Sequence, residues 1–595
     1  MEKDSNELNS LASRRTVLAA GCGGIVSSLA GCTNGKQGII DGSNNQLSVT
    51  ILTHPTDSDR QSIQITRQLE KNLKAVGINT RIEPRTDSEL WRKILLDRDY
   101  DCYVSHYPGR ADPYYLYGLF HSKYAPESGW QNPFGFADAE MDELLEQQRS
   151  ATGKKRKEAI DKVLHHVAQT HPIVPICIPP ERRLVRTDRF KGWTDYRLGT
   201  RLGFLDLEPN INAFEGDTVL TAVTTDSQSS QNINPLSAAY RTRDMFVGIL
   251  YDSLVVEDGD EIRPWLAESV EWDSSVATIT LRPDCRFHDD KLVTAEDVAF
   301  TYEFLSDTSL GERDTPSPTP RYRELVDAVE AVEVLDPQTV RIRVGTSVDV
   351  GKQLFMIPIL PKHVWEAAVK ERLENNEEPT QGTWDIVTAA SVPKIGSGPY
   401  AFVDQESRSQ LRFERFDDHF TLRKHVDLPA PTADKLNFSV VPNSDLAVDQ
   451  LSAGNVDMTA STLRPETVSD ILDNSNLELL ETPSWSFYHI GFNVRNAPFS
   501  NPHFRENVAR LINREAIVDE IFNGQATPTV APVVSEWIPD DLMWDGEAQY
   551  APFFGNDNET TTNEETGTLN VDLAKRAFER DGFQYNDDRE RLMDY

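Results

Sequence analysis

The segment "LDLEPNINAFEGDTVLTAVTTD", residues 205–226, joins an exposed connection to a strand in an unexpected order. The apolar alternation from Val219 to Val223 predicts a half-buried strand. The Glu, Pro, Asn and Gly residues before it are typical of a solvated connection. This strand has the character of one that opens a secreted domain, yet residues 47–193 precede it. The order of the segments therefore needs an explanation.

Length and charge limit what the chain can be. With 595 residues, the chain is too long for one compact core, so we expect two or more lobes. A hydrophobic content of 38% is sufficient to build those cores. Ninety-five acidic against 60 basic residues give a net charge of -35, which repels nucleic acid. The acid excess extends along the whole chain, which indicates adaptation to strong brine; the alternative is an ordinary acidic extracellular protein.

The first 32 residues are predicted to form an export signal. Arg14 and Arg15 precede an uncharged apolar stretch that is too short to span a bilayer, as in twin-arginine signals. The stretch ends in "LAGC", which resembles a lipobox whose Cys32 becomes the lipidated first residue of the mature protein. An ordinary signal with a chance cysteine is the alternative. Residues 33–46 are rich in Gly, Asn and Ser, and predict a flexible tether.

The remaining cysteines do not form a disulfide framework. Cys102, Cys177 and Cys285 are odd in number and far apart in the sequence. They are therefore predicted to be small core residues and not bridges or ligands.

The sequence contains no catalytic, nucleotide-binding or metal-binding motif that we recognise. "ATGKKRK", residues 151–157, lacks the first glycine of a phosphate loop and has Lys155 where a hydroxyl residue is needed. His165 and His166 are adjacent, so they cannot both face one metal ion from a helix. We expect no metal, no cofactor and no enzymatic activity.

Alternating strand and helix patterns begin the mature chain. Residues 47–52 predict a strand, residues 62–76 a helix, and a second strand follows directly, which indicates an α/β unit. Residues 100–106 predict another strand. Two helices should follow, one capped by Asp138 and one over residues 155–169.

Further elements follow later in the chain. The proline-rich segment 171–180 predicts an edge strand or a crossover segment. Thr294 and an aspartate three residues later predict the start of a helix. Residues 501–524 read as one helix with an Asn cap, and Asp572 is predicted to cap the last helix.

Five segments carry motifs that can be compared with known families. They are "HPIVPICIPPERRLVRTDRFKGW" (171–193), "WLAESVEW" (265–272), "FHDDKLVTAEDVAF" (287–300), "GSGPY" (396–400) and "HIGFNVRNAPFSNPHFRENVARLINREAIVDEIFNGQATP" (489–528). Together they resemble the peptide/nickel-type (family 5) extracellular solute-binding proteins of ABC importers. One departure is Asp290, which stands where the family usually has Gly.

This resemblance implies both a fold and a function. The fold is an α/β two-lobed clamp of the type II periplasmic-binding-protein class, with mixed sheets and two crossing hinge segments. The function is capture of a small organic solute, peptide-like or otherwise, for an ABC permease. The protein would be a monomer, held by its lipid at the extracellular face of the membrane. The alternatives are a clamp that signals to a membrane receptor without transport and, less favoured, a secreted hydrolase.

The same resemblance accounts for the order of the segments. In the family, a strand like the one after residue 215 opens the mature protein, and a block like 171–193 closes it, whereas here the closing block comes first. We interpret this as a circular permutation; an error in the gene model and two partial modules that pair with another chain are the alternatives. The predicted parts are residues 47–180 (second half of lobe B), 181–214 (hinge return and join), 215–483 (lobe A) and 484–595 (first half of lobe B), with crossings near 175–180 and 482–488.

The ligand is expected between the loop "YPGRADPYY" (107–115) and the crossing "SWSFYHIGFN" (484–493). Aromatic rings with a few polar groups are typical of clefts that hold organic solutes. An alternative is that the crossing aromatics only pack at the hinge. The candidate ligand-binding residues are Trp485, Tyr488, Tyr107, Arg110, Asp112 and His106.

Gly109 bears on the kind of solute. Peptide-binding relatives carry at this position an Asp that binds the ammonium group of the ligand, and Gly109 has no side chain to replace it. Arg110 adds positive charge to the same loop. The loop therefore favours a neutral or anionic group over an ammonium, unless Asp112 turns inward.

Overall fold

The computed structural model describes most of the chain between residues 46 and 594. Within that range the residues left out are 229, 238–244, 260, 376, 378, 380–383, 471–474 and 556–567. The predicted export signal, with Arg14, Arg15 and Cys32, lies outside the described residues, as does nearly all of the predicted tether.

Twenty-one strands are assigned in the described residues. In chain order they are β1 Ser48–Thr53, β2 Asn79–Pro84, β3 Cys102–Tyr107, β4 Ile173–Ile178, β5 Glu181–Arg186, β6 Phe190–Lys191, β7 Glu208–Pro209, β8 Val219–Thr224, β9 Val255–Asp258, β10 Glu261–Pro264, β11 Ala267–Asp273, β12 Val276–Leu281, β13 Val329–Asp336, β14 Thr339–Val344, β15 Tyr400–Glu406, β16 Gln410–Arg415, β17 Lys435–Val440, β18 Met458–Thr459, β19 Leu477–Thr482, β20 Phe487–Phe492 and β21 Thr527–Pro528.

Fifteen α-helices, several of a single turn, accompany the strands in the same residues. They are α1 Arg60–Ala75, α2 Asp87–Trp91, α3 Tyr115–Phe120, α4 Ala139–Ser150, α5 Gly153–Thr170, α6 Met245–Leu250, α7 Ala295–Ser306, α8 Arg323–Val326, α9 Val348–Gly351, α10 Lys362–Glu374, α11 Asp385–Thr388, α12 Ser444–Ser452, α13 Pro502–Ala509, α14 Arg514–Ile521 and α15 Val571–Arg580.

Both ends of the described chain build one six-stranded sheet. Its strand order is β2-β1-β3-β20-β4-β21, with β1 parallel to β2 and β3, and β20 antiparallel to β3 and β4. Val49 and Ile51 from β1 share one buried apolar cluster with Ile490 and Phe504 from late in the chain. The early segment therefore has no core of its own in this sheet and completes a core that the late segment begins.

The middle of the chain forms a seven-stranded sheet of order β15-β16-β17-β8-β18-β5-β19 and a separate four-stranded sheet of order β11-β12-β14-β13. The strand that follows the opening segment of the sequence is β8, which lies in the interior of the seven-stranded sheet and is parallel to β17 and β18. The predicted α/β class with mixed sheets is confirmed.

Two short segments carry the chain between the six-stranded and the seven-stranded sheet. One is Pro179 and Pro180, between β4 and β5, and the other is residues 483–486, between β19 and β20. Polar contacts also join the two sides: Arg60 lies 3.3 Å from Glu466. Two crossings of this kind are what a clamp fold requires, and their positions agree with the prediction.

The proline-rich strand β4 is not an edge strand. It lies between β20 and the two-residue strand β21. Tyr488 pairs with Cys177 and His489 with Pro175, so the register shifts and one residue of β4 bulges out. Because Pro175 has no N–H to donate, this irregularity lets a proline occupy an interior strand.

Two helix predictions were wrong in detail. Residues 501–524 form two helices, α13 and α14, because Asn513 acts as a second cap and accepts a hydrogen bond from the backbone of Ala516 at 3.0 Å. The last helix is capped by Asn570, and Asp572 lies in its first turn. An Asn side chain starts a helix where its oxygen accepts a hydrogen bond from one of the free backbone N–H groups of the first turn.

Two unusual backbone positions have clear causes. A Cβ on Gly396 would lie 1.8 Å from the carbonyl oxygen of Leu250, so the "GSGPY" turn needs glycine for close packing. Asp290 adopts φ +67°, so the turn keeps a left-handed residue where the family usually has Gly. Asp tolerates this conformation better than most residues.

Cys102, Cys177 and Cys285 are buried free thiols, as predicted. Burial raises the pKa of Cys285 to about 12, so its thiol is protonated and inert near neutral pH. In the part of the chain that the structure describes, no helix combines the length and the apolar character needed to cross a membrane.

The adjacency of the chain ends predicts that the order of the segments can be changed. Gln46 forms a β-bridge with Met593, and the backbone N–H of Leu47 donates to Leu592 at 2.8 Å. The connection near Ile211, whose exposed fraction is 73%, lies on the surface. We expect that a chain opened after Ile211, with residue 594 joined to residue 46 by a short Gly/Ser linker, unfolds in urea with a free energy within about 2 kcal/mol of the parent.

The matched control carries the same linker but is opened within the interior strand β20, after Gly491. This variant should not fold, because the opening removes a central strand of the six-stranded sheet. Failure of the first variant to fold would mean that the present connection near Ile211 is needed for the structure.

Candidate functional site

The carboxyl ends of three parallel strands meet at one edge of the six-stranded sheet. His54 follows β1 directly, Asp87 begins the helix after β2, and Tyr107 ends β3. In open α/β sheets, ligands bind in the crevice outside this edge. Both crossings also leave the sheet near here, since β20 starts and β4 ends beside the end of β3. This edge is the candidate site.

The pairing of β3 with β20 brings four of the predicted site residues together. Phe487 pairs with Tyr107, and Tyr488 pairs with His106. The ring of Tyr107 lies 5.5 Å from that of Phe487, and the rings of His106 and Tyr488 lie 5.9 Å apart. Trp485 is half-buried in the crossing just before β20. The predicted loop and the predicted crossing are therefore in contact, with the Tyr107 and Phe487 rings on one face of the sheet and the His106 and Tyr488 rings on the opposite face.

Gly109 permits the loop to lie directly on the crossing. Its φ is +55°, and a Cβ there would lie 2.1 Å from the carbonyl oxygen of Trp485. The hydroxyl of Ser486 donates to the carbonyl oxygen of Pro108 at 3.3 Å. No side chain fits at Gly109 without moving the loop. The absence of a carboxylate at this position is thus built into the backbone geometry.

The Asp112 carboxylate is paired with a buried arginine. Arg156 donates two hydrogen bonds to it, at 2.6 and 2.7 Å, and the backbone N–H of Tyr114 donates a third at 2.8 Å. The exposed side-chain fractions are 12% for Asp112 and 4% for Arg156. The pair fixes the far end of the loop onto helix α5.

Arg110 differs from its neighbour in the loop. Its side chain is half-buried and, among the residues that the structure describes, makes no hydrogen bond or ion pair. With Asp112 held by Arg156, Arg110 supplies the uncompensated charge of the loop.

A polar cluster surrounds the His106 ring and the Tyr488 hydroxyl. Asp59 is the N-cap of α1, and its Oδ2 atom lies 3.3 Å from His106 Nδ1. Its Oδ1 atom accepts a hydrogen bond from the Tyr488 hydroxyl at 3.3 Å. The His54 ring stacks on that of His106 at 6.1 Å, and its Nδ1 lies 2.6 Å from Asp87. Two imidazoles and two carboxylates are thus concentrated at the end of β1 and β3.

The ionisation of this cluster follows from its contacts. Burial raises the pKa of Asp59, but the hydrogen bond and charge of His106 and the charge of His54 outweigh burial and hold that pKa well below its ordinary value. Burial likewise raises the pKa of Asp87, but the hydrogen bond and charge of His54, the hydrogen bond from Ser58 and the charge of His106 together lower it by more. Burial and the Asp59 charge raise the pKa of Tyr488. The two carboxylates are therefore ionised and the phenol is neutral.

His54, Asp59 and Asp87 were not predicted from the sequence. His54 and His106 are separated by more than fifty residues, so no local motif joins them. A usable signal was present, because polar residues directly after buried parallel strands converge at one edge of a sheet.

Comparison with known proteins identifies the family. Residues 261–593, more than half of the chain, match the model of the bacterial extracellular solute-binding proteins, family 5, middle region. The chain belongs to this family. The oligopeptide-binding protein AppA of Bacillus subtilis is 27% identical over 306 residues, which are 50% of this chain and 51% of AppA.

Other relatives are similar at the same level. The glutathione-binding protein GsiB of Salmonella typhimurium is 26% identical over 56% of this chain and 60% of its own length. The solved structure of Bacillus subtilis AppA with a nonapeptide covers 63% of this chain and 66% of AppA at 20% identity, with a TM-score of 0.45. The chain spans about half the length of the curated relatives it matches.

The buried pair in this family 5 protein predicts a large loss of stability when one partner is removed. Asp112→Ala leaves the Arg156 guanidinium buried without its carboxylate, which should lower the free energy of unfolding by about 3 kcal/mol. Urea unfolding followed by circular dichroism measures this. The double variant Asp112→Ala/Arg156→Met should recover much of the loss, because both charges are gone.

Asp541→Ala is the matched control. Asp541 also forms an ion pair, with His165 at 2.9 Å, but its side chain is 58% exposed. Little change is expected there, because water replaces the lost partner. An Asp112→Ala variant as stable as this control would mean that the pair does not hold the loop.

Proposed function

We propose that this protein is an extracellular solute-binding protein that captures a small organic solute, peptide-like or otherwise, and delivers it to an ABC permease. The observation that carries the proposal is the position of the aromatic loop against a crossing, at the carboxyl edge of a sheet in a family 5 protein. A solute held there touches the segment about which the two sides of a clamp turn. Binding then favours the closed form by a shift of population.

Each of the six predicted residues has a proposed role. Tyr107, Trp485 and Tyr488 supply flat apolar surface against the solute. His106 adds a half-exposed polar ring, and Arg110 attracts an anionic group. Asp112 shapes the loop through Arg156 and does not contact an ammonium group; this last role is supported by its three short hydrogen bonds.

The lobes are proposed to follow the two main sheets. Lobe B combines residues 47–180 with 484–595, lobe A is residues 215–483, and residues 181–214 return from the hinge and join them. The shared core of the early and late segments and the adjacency of Gln46 and Met593 support a circular permutation relative to the family.

Export and anchoring complete the proposal. Arg14 and Arg15 would direct twin-arginine export, and Cys32 would carry the lipid at the extracellular face of the membrane. The acidic surface would keep a monomer soluble in strong brine. A clamp that reports its ligand to a membrane receptor is the second candidate, since the same geometry serves both roles; genomic neighbours that encode a permease and an ATPase would favour transport.

Native mass spectrometry of the protein from its host, in high salt, tests the function. We expect a bound organic solute that is released on unfolding. Trp485→Ala with Tyr107→Ala should lower the amount retained at least about tenfold, because two aromatic walls of the site are lost. The urea midpoint of the double variant shows that it remains folded.

Trp544→Ala with Tyr196→Ala is the control, since it removes one Trp and one Tyr outside the loop and the crossing. It should retain the solute fully. Equal retention by both double variants would place the ligand elsewhere, and a wild-type protein that never carries or binds an organic solute would contradict the proposed function.

The loop predicts how peptides would bind. Because Gly109 offers no carboxylate and Asp112 is held by Arg156, a free amino terminus gains no charged partner in this loop. Calorimetry in high salt should therefore show that short peptides bind no more tightly than their N-acetylated forms, within about threefold. A preference of tenfold or more for the free amine, about 1.4 kcal/mol, would contradict this prediction.

A further inference from the structure

The cluster at the end of β1 and β3 has the composition of a metal site. His54, Asp59 and His106 each offer one ligand atom, and these three atoms all lie within 4.8 Å of one another. Two imidazoles and one carboxylate are a donor set typical of Zn²⁺ and its neighbours among the first-row divalent metals. We propose that these three residues bind a divalent transition metal ion, contrary to the expectation from the sequence that the protein binds no metal.

The distances agree with this assignment. In a tetrahedral site with metal–ligand bonds of about 2.1 Å, ligand atoms lie about 3.4 Å apart. His106 Nδ1 and Asp59 Oδ2 already lie 3.3 Å apart, which is long for a charge-assisted hydrogen bond. The ligand atom of His54 lies within 4.8 Å of the other two.

His54 is oriented for metal binding by its own partner. Its Nδ1 lies 2.6 Å from Asp87, which fixes the proton on that nitrogen and leaves Nε2 with a lone pair that can bind a metal ion. This carboxylate–histidine pair is the usual support behind a metal-bound imidazole. Nε2 now accepts from Ser105 at 2.9 Å, but the Ser105 hydroxyl has a second acceptor, the carbonyl oxygen of His106 at 3.1 Å. It can therefore release the His54 nitrogen at little cost.

Asp59 is held equally firmly. The backbone N–H of Ser62 donates to its Oδ1 at 3.0 Å, and the Ser62 hydroxyl donates to Oδ2 at 2.7 Å. The carboxylate is buried and ionised, whereas His106 is 40% exposed. The cluster is thus closed on the side of the sheet and open beside His106, where a further ligand atom from water or a bound molecule completes the coordination.

The test uses the full chain without a histidine tag, stripped with a chelator and dialysed in high salt with excess Mg²⁺ to occupy surface carboxylates. Zn²⁺ binding is followed by calorimetry, and Co²⁺ by its visible absorption, which is intense in tetrahedral sites. We expect one Zn²⁺ per chain. His106→Ala and Asp59→Asn should each weaken Zn²⁺ at least about thirtyfold, and Asp87→Asn about tenfold.

The variants are chosen to remain folded. His106 is half-exposed, and Asn at position 59 keeps the helix cap. His165→Ala is the matched control, because His165 also contacts a carboxylate at 2.9 Å but has no second imidazole for a shared metal; it should bind as the wild type does. No Zn²⁺ or Co²⁺ binding by the wild type, or unchanged binding by both His106→Ala and Asp59→Asn, would overturn the proposal. The test involves no organic solute, so its outcome is independent of the proposed transport function.

Discussion

The antiparallel pairing of β3 with β20 is the interaction on which the rest of the structure depends. It joins a strand from early in the chain to one from late in the chain, and so closes the six-stranded sheet. The same register sets Tyr107 opposite Phe487 and His106 opposite Tyr488. Because each strand ends or begins at the carboxyl edge of the sheet, this one pairing also creates the candidate site.

Backbone geometry, more than side-chain chemistry, determines what this site can offer. The loop after β3 approaches the crossing so closely that position 109 must be glycine. Asp112 then lies where it meets Arg156 and leaves Arg110 as the available charge. For the proposed solute site, this arrangement favours selection by shape, by aromatic contact and by attraction to anionic groups over recognition of an ammonium group.

Local patterns in the sequence predicted much of the fold. Strand β1, the Asp138 cap and the start of α7 at Thr294 were all predicted, because caps and apolar periodicity act over a few residues. The division of residues 501–524 into two helices at Asn513 was not predicted. The free energies of starting a new helix at Asn513 and of continuing the first helix through it differ little. His54 and Asp59 were missed, because it is the parallel pairing of β1 with β3 that brings them to His106.

Polar contacts between the two sides of the proposed clamp bear on how much free energy a bound solute must supply to change its opening. The Lys123 Nζ atom lies 2.5 Å from a carboxylate oxygen of Asp327, and the Arg323 Nε atom lies 3.1 Å from a carboxylate oxygen of Glu127. The exposed fractions of these four side chains are between 21 and 35%. Such pairs contribute at most about 1 kcal/mol each and are weakened further by salt. Buried hydrogen bonds also join the two sides: the Glu324 carboxylate accepts one from Gln131 at 2.9 Å, and the Glu324 carbonyl oxygen accepts one from Tyr114 at 3.1 Å. Under the proposed function, a solute at the crossing would therefore have to favour the closed form over the open form by a few kcal/mol to shift the balance between them.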